Sequence, residues 1–179
     1  MQTEKRTNLV LIGMPASGKS TVGVILAKIM GMDFIDTDLL IQKQAGRRLS
    51  EIIEEQGLRG FLDLESRVCG AVTAENSVIA TGGSVVYGDA AMAHLRSIGR
   101  VIYLNVSYEN LMKRLHNVRQ RGVVLREGQT VESLYAERAP LYQKYADLTV
   151  READGGIEDT VAGILKLLDA AAVCEDNAT

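Results

Sequence analysis

GMPASGKS, residues 13–20, stands between the apolar run NLVLI (8–12) and the stretch TVGVILAKIM (21–30). Its spacing is G-x-x-x-x-G-K-[ST], that of a phosphate-binding loop. The flanks are what such a loop requires: a strand leading in and a helix opening on the last residues. Gly13 and Gly18 permit backbone conformations closed to residues with a Cβ, so successive N–H groups can turn toward an anion. The helix opening near Lys19 adds the partial positive charge of its N-terminus. Lys19 brings a mobile full charge for terminal phosphates, and the Ser20 hydroxyl is a ligand for Mg²⁺. Ala16, Ser17 and Thr21 complete the expected nucleotide-binding segment. The plain alternative is a glycine-rich turn with an incidental lysine, and the flanking strand and helix weigh against it. The chain contains no N-K-x-D guanine motif, which favours ATP over GTP.

Outward from the loop, short β-like runs alternate with helical patterns. NLVLIG, DFID, SVIAT, RVIYLNV and DLTV read as strands. Helical periodicity lies near 18–30, 38–46, 49–74, 88–97, 107–116, 130–146 and 157–173. Such alternation predicts an α/β fold, a five-stranded parallel sheet with helices on both faces. The strands are continuous apolar runs, as burial on both faces demands. One long connection lacks a regular pattern: NVRQRGVVLREGQT, residues 117–130, expected to form a lid. The tail CEDNAT, 174–179, is expected to fray.

The 179 residues suit a single domain, and 46% hydrophobic content suffices for a full core. A net charge of −3 and a pI near 5.5 argue against nucleic-acid and acidic-membrane partners. Cys69 and Cys174 have neither metal-ligand spacing nor the numbers for a disulfide framework. The polar start MQTEKRT leads straight into a strand, so no signal peptide is expected. No apolar run approaches the length of a membrane span. A cytoplasmic monomer acting on a small molecule is the expectation.

In open α/β sheets ligands bind beyond the carboxyl ends of the strands. DFIDTD puts Asp36 and Asp38 there, beside the phosphate loop. Asp36 is placed to hold Mg²⁺ through its water shell, and Asp38 to orient an acceptor hydroxyl and take its proton. The competing use of Asp38 is as the N-cap of the helix LLIQKQ. ATGGS, 80–84, follows the third strand at the same edge. Its glycines permit backbone to approach a substrate closely or simply make a turn. Arg119, Arg121 and Arg126 lie on the expected lid, where closure would bring positive charge to the transferred phosphoryl group. The alternative is a solvated basic loop. In ERAPLY, 137–142, Arg138 sits two residues before Pro140, which predicts a kink or boundary in that helix.

Taken together, GMPASGKST, FIDTD, the F…E spacing of GFLDLE, TGG, RVIYLNVSYENLMKR and ERAPLYQKYA resemble shikimate kinases over residues 8 to 150. The resemblance implies a P-loop NTPase of adenylate-kinase-like fold that transfers a phosphoryl group from ATP to the 3-hydroxyl of shikimate. Carried over by position, Lys19 and Ser20 serve ATP and Mg²⁺, and Asp36 serves the metal. Asp38, Gly82 and Gly83 serve the acceptor, Arg121 reaches the phosphates from the lid, Arg138 pairs with the acceptor carboxylate, and Arg114 lies against adenine. The pattern is broken at three places. Leu62 stands where F-R-x-x-E has its arginine, Ser84 where a third glycine follows the third strand, and Gly122-Val123-Val124 where the lid pattern R-P-L-L continues. Arg59, three residues before Leu62, falls on the same helical face and is the candidate replacement. A different small hydroxylated acceptor, such as a hydroxy amino acid or a polyol lacking the carboxylate, is the alternative. A nucleotide-binding module without transfer is a further one.

Overall fold

Five short strands form one sheet in the order β2-β3-β1-β4-β5. They are β1 (Asn8–Ile12), β2 (Asp33–Asp36), β3 (Ser77–Ala80), β4 (Gly99–Asn105) and β5 (Leu148–Arg151). The structure, a computed structural model, describes residues 6–116, 125–126, 128–152 and 156–176. Every pairing is parallel, so each connection crosses over, as parallel strands require. The central strands β1 and β3 are buried at every residue, while the edge strands β2 and β5 are only partly covered.

The helices are α1 (Lys19–Met30), α2 (Thr37–Ala45), α3 (Leu49–Gly70), α4 (Asp89–Ile98), α5 (Tyr108–His116), α6 (Val131–Tyr145) and α7 (Ile157–Asp176). Alternate residues of a strand face opposite sides of its sheet. Leu9 and Leu11 accordingly pack with Val22 and Leu26 of α1 and Val161 and Ile164 of α7. Val10 and Ile12 pack with Cys69 of α3, Met92 and Leu95 of α4, and Leu134 and Tyr142 of α6. Both faces are thereby covered. A smaller cluster of Ile41, Ile52, Phe61 and Val68 joins α2 to α3.

Three helix expectations are corrected. The segment expected as 49–74 ends at Gly70 and leaves helical geometry at Gly57, where φ is 69° and ψ 175°. A residue without a Cβ takes up that bend. Pro140 sets no boundary, because α6 runs on to Tyr145. The ring removes one backbone hydrogen bond, but Leu134, Arg138, Tyr142 and Tyr145 are buried along this helix and packing holds it together. The last helix extends to Asp176, so the segment expected to fray begins helical, and 177–179 lie outside the described residues. Most of the expected lid, residues 117–124 and 127, also lies outside them, and with it Arg119 and Arg121. Among the described residues no helix is long and apolar enough to cross a membrane.

Candidate active site

The phosphate loop joins β1 to α1. Gly18 caps α1 with φ 94°, a left-handed conformation that puts Lys19 and Ser20 into the first turn. Ala16 is also left-handed, with φ 62°. The Lys19 ammonium donates to the carbonyls of Gly13 at 2.9 Å and Met14 at 2.8 Å, and to Ser17 Oγ at 3.3 Å. Burial holds this ammonium down at about 8 from its ordinary 10.5, and Arg138 adds to the lowering. Asp38, Asp36 and Glu65 pull the other way.

Asp36 ends β2 and caps α2: its Oδ1 accepts from the backbone N–H of Asp38 at 3.0 Å and of Leu39 at 3.4 Å. The capping role weighed for Asp38 therefore belongs to Asp36, because the helix starts at Thr37. The other oxygen, Oδ2, accepts from Ser20 Oγ at 2.7 Å. A hydroxyl and a carboxylate side by side are a hard oxygen donor set that suits Mg²⁺, which takes few protein ligands and keeps phosphates and water for the rest. Asp38 lies in the first turn of α2, half-buried. Burial raises its pKa above the ordinary carboxylate value and the neighbouring Asp36 adds to this, while Lys19 opposes it.

The turn after β3 faces these acids. Gly82 N–H donates to Thr37 Oγ1 at 3.2 Å. A Cβ on Gly82 would collide with Glu65 Oε1 and lie 2.9 Å from Asp38 Oδ1; one on Gly83 would lie 2.8 Å from Pro15 Cδ and 3.1 Å from Arg138 Nη1. This glycine turn thus touches the phosphate loop, Asp38 and Arg138 at once. Only residues without side chains fit such an approach.

From α6, buried Arg138 donates through Nε to the Tyr87 hydroxyl at 3.1 Å, with its guanidinium 5.1 Å from the ring centroid. Tyr87 in turn donates to Glu137 at 2.6 Å. One turn on, Tyr142 donates to the Gly83 carbonyl at 2.6 Å and stacks on Tyr103. Arg126 is the described arginine of the expected lid, and it pairs with Glu137 at 3.6 Å.

Sequence reasoning assigned no role to Glu65, which is 1% exposed. Its Oε2 accepts from Ser84 Oγ at 2.5 Å, while Oε1 has no hydrogen-bond partner among the described residues. Burial pushes this carboxyl up to about 7, and Asp38 adds to that; the Ser84 hydroxyl works against it. The available signal was a charge in the apolar stripe of α3, where Phe61 and Val68 are its buried neighbours. Tyr87 and Tyr142 gave no signal beyond hydrophobic content. A cleft of about 220 Å³ opens beside this group, with Arg59, Leu62, Ser84 and Tyr87 on its walls.

Arg114, on α5, lies over the loop: Nη1 donates to the carbonyls of Ala16 at 3.4 Å and Ser17 at 3.3 Å, and Nη2 pairs with Glu152. Lys19, Ser20, Asp36, Asp38, Gly82, Gly83 and Arg138 are brought to one end of the sheet, with Arg114 at the loop's outer side.

Comparison with known proteins agrees with this arrangement. The family model described as shikimate kinase matches residues 15–169. A shikimate kinase of Thiobacillus denitrificans is 38% identical over 97% of this chain and 98% of its own. One of Aromatoleum aromaticum is 42% identical over 83% of this chain and 85% of its own. The structure of shikimate kinase from Acinetobacter baumannii in complex with shikimate superposes with a TM-score of 0.85 at 30% identity, covering 94% of this chain and 96% of that one. Agreement of this extent in both sequence and fold means that the chain belongs to the shikimate kinase family and is an ATP-dependent kinase acting on a hydroxyl group.

Proposed function

We propose that this chain transfers the γ-phosphoryl group of ATP to the 3-hydroxyl of shikimate. The observation that carries the reading is the Gly82–Gly83 turn, which abuts Pro15 of the phosphate loop on one side and Asp38 and Arg138 on the other. An acceptor resting on that turn has a base, a cation and the phosphates within reach.

The roles follow from the chemistry of each group. Lys19 exchanges its loop carbonyls for phosphate oxygens and offsets charge that builds on the transferred group. Ser20 and Asp36 would hold Mg²⁺, which would offset negative charge on the nucleotide phosphates. Asp38 orients the acceptor hydroxyl and receives its proton as the oxygen bonds to the γ-phosphorus and the bond to the β-phosphate oxygen breaks. Its raised pKa brings it closer to neutrality and makes it a better base than an ordinary carboxylate. Gly82 and Gly83 bring backbone against the acceptor, and Arg138 pairs with its carboxylate. Arg114 keeps a third of its side chain exposed, enough to lie against adenine. Arg121 is the arginine assigned to the phosphates from the lid. The enzyme works as a cytoplasmic monomer.

A second acceptor class is favoured by one observation: Leu62 stands on the wall of the cleft beside Glu65 and Ser84. An aliphatic side chain there suits a hydroxylated acceptor without a carboxylate. The deciding experiment measures ATP consumption by purified protein with shikimate and with a panel of small alcohols and hydroxy acids. Shikimate as the best substrate is the expected result. A polyol or hydroxy amino acid turned over faster at lower concentration would replace it.

A further inference from the structure

The walls of a phosphate loop must keep their N–H groups inward, so the carbonyls of the same residues face out and need donors of their own. Here two cations supply most of them, and the Ser17 N–H also donates to the Met14 carbonyl at 3.1 Å. Lys19 takes the carbonyls of Gly13 and Met14, and Arg114 takes those of Ala16 and Ser17. The two ties differ in permanence. The Lys19 ammonium has to leave its carbonyls to meet a phosphate, whereas Arg114 approaches from α5 on the outer side.

At 3.3 and 3.4 Å the two Arg114 bonds are long, and bonds of that length fix a flexible side chain poorly. What holds the guanidinium is Glu152, just past β5. Its side chain is only 7% exposed and it forms an ion pair with Arg114 Nη2. The second carboxylate oxygen accepts from Asn110 Nδ2 at 3.4 Å, and the Glu152 backbone N–H donates to the Asn105 carbonyl at 3.1 Å, at the end of β4. A carboxylate anchored at its backbone and ion-paired with Arg114, with only a long contact on its second oxygen, is a firmer hold than the two loop bonds, because charge-assisted pairing is the strong kind.

We propose that Glu152 is a positioning residue for nucleotide binding: through Arg114 it holds the Ala16–Ser17 segment of the phosphate loop in place, and it does so after Lys19 has turned to the phosphates. The inference rests on the loop receiving ATP and is independent of which acceptor is used. It assigns the edge strand β5 a part in nucleotide affinity, although Glu152 itself touches no phosphate.

The test is calorimetric titration of the full chain with ADP, for the parent, Glu152→Gln, Glu152→Asp, Arg114→Met and the Arg114→Met/Glu152→Gln double variant, beside KM values for ATP and acceptor. Losing a charged hydrogen bond weakens binding about ten- to a hundred-fold. Glu152→Gln should therefore raise the ADP Kd and the ATP KM about tenfold while acceptor KM holds. Glu152→Asp keeps the charge at shorter reach and should fall between, and it carries the comparison if the Gln variant does not fold. The double variant should bind ADP no more weakly than Arg114→Met alone, because the two residues act as one device. Parental ADP affinity in Glu152→Gln would overturn the proposal, and so would losses that multiply in the double variant. A parent that binds no ADP would instead overturn the kinase reading beneath it.

Discussion

Lys19 carries a full charge in a place that burial makes costly, and its ammonium is held at about 8. Phosphate oxygens need the cation, so the free enzyme loses its capture of ATP as pH rises past that value. kcat/KM for ATP reports groups of the free enzyme, and it should fall about tenfold for each pH unit above 8, with the midpoint set by Lys19. A profile flat to pH 10 or so would contradict the assignment. Glu65 titrates in the opposite sense. In the folded chain it keeps its proton to about pH 7, in the unfolded chain only to about 4.5. Between those values the folded state holds more protons, so stability falls as pH rises through the window. Glu65→Gln removes that fall. Its unfolding free energy should be flatter than the parent's, with a relative gain on the order of a few kcal/mol above pH 7. Urea melts at both ends of the window measure it, and equal slopes for the two proteins would refute it.

At the scale of elements, α3 forms one wall of the cleft beside Glu65 and Ser84, where the acceptor is proposed to bind. Gly57 bends it away from helical geometry, and the turns that follow place exposed Arg59, half-buried Leu62 and buried Glu65 on one side of the cleft. For shikimate, Leu62→Arg adds a cation on the wall facing the carboxylate and should lower its KM about ten- to a hundred-fold, the worth of a charged hydrogen bond. Arg59→Ala should raise the same KM if the exposed arginine serves in its place. An acceptor lacking a carboxylate reverses the first outcome, since an unpaired charge in a closing cleft costs both binding and stability. Steady-state kinetics of the three proteins with shikimate separate these cases.

Across the whole molecule, one side chain knits the sheet at the end opposite the site. Asn8 begins β1 and is 1% exposed. Its Nδ2 donates to the Ala74 carbonyl at 2.7 Å and the Ile98 carbonyl at 2.9 Å, and its Oδ1 accepts from the Ser77 N–H at 2.9 Å. The ends of the segments leading into β3 and β4 thus meet on one residue. Asn8→Ala takes the partner from one buried and two partly buried backbone groups, at about 1–3 kcal/mol for each group that water does not reach. The melting temperature should drop by roughly 5–10 °C, while KM for ATP stays within about twofold because the active site lies at the other strand ends. Thermal melts beside kinetics check both halves, and a change in KM larger than the change in stability would speak against it.

The phosphate loop, the strand–helix alternation and the parallel sheet were legible in the chain itself, because the requirements are local. A glycine-bounded turn, a lysine at fixed spacing and apolar runs between helical periods depend on neighbours a few residues away. Asp36, Asp38, Gly82 and Gly83 were legible for the same reason, since strand ends in a parallel sheet collect at one edge. Tertiary structure alone decided the rest. Glu65 meets Ser84 across 19 residues, Arg138 meets Tyr87 across 51, and Arg114 reaches the loop across 97 and 98. Pro140 lies within a continuous helix because that helix is packed along a buried face, a contribution no local rule contains. Asp36 rather than Asp38 caps α2 because the helix starts at Thr37, two residues earlier than a cap at Asp38 implies. Burial sets the charge states of Lys19 and Glu65, and burial is a property of the assembled fold: a side chain's distance from water is unknown until every element around it is in place.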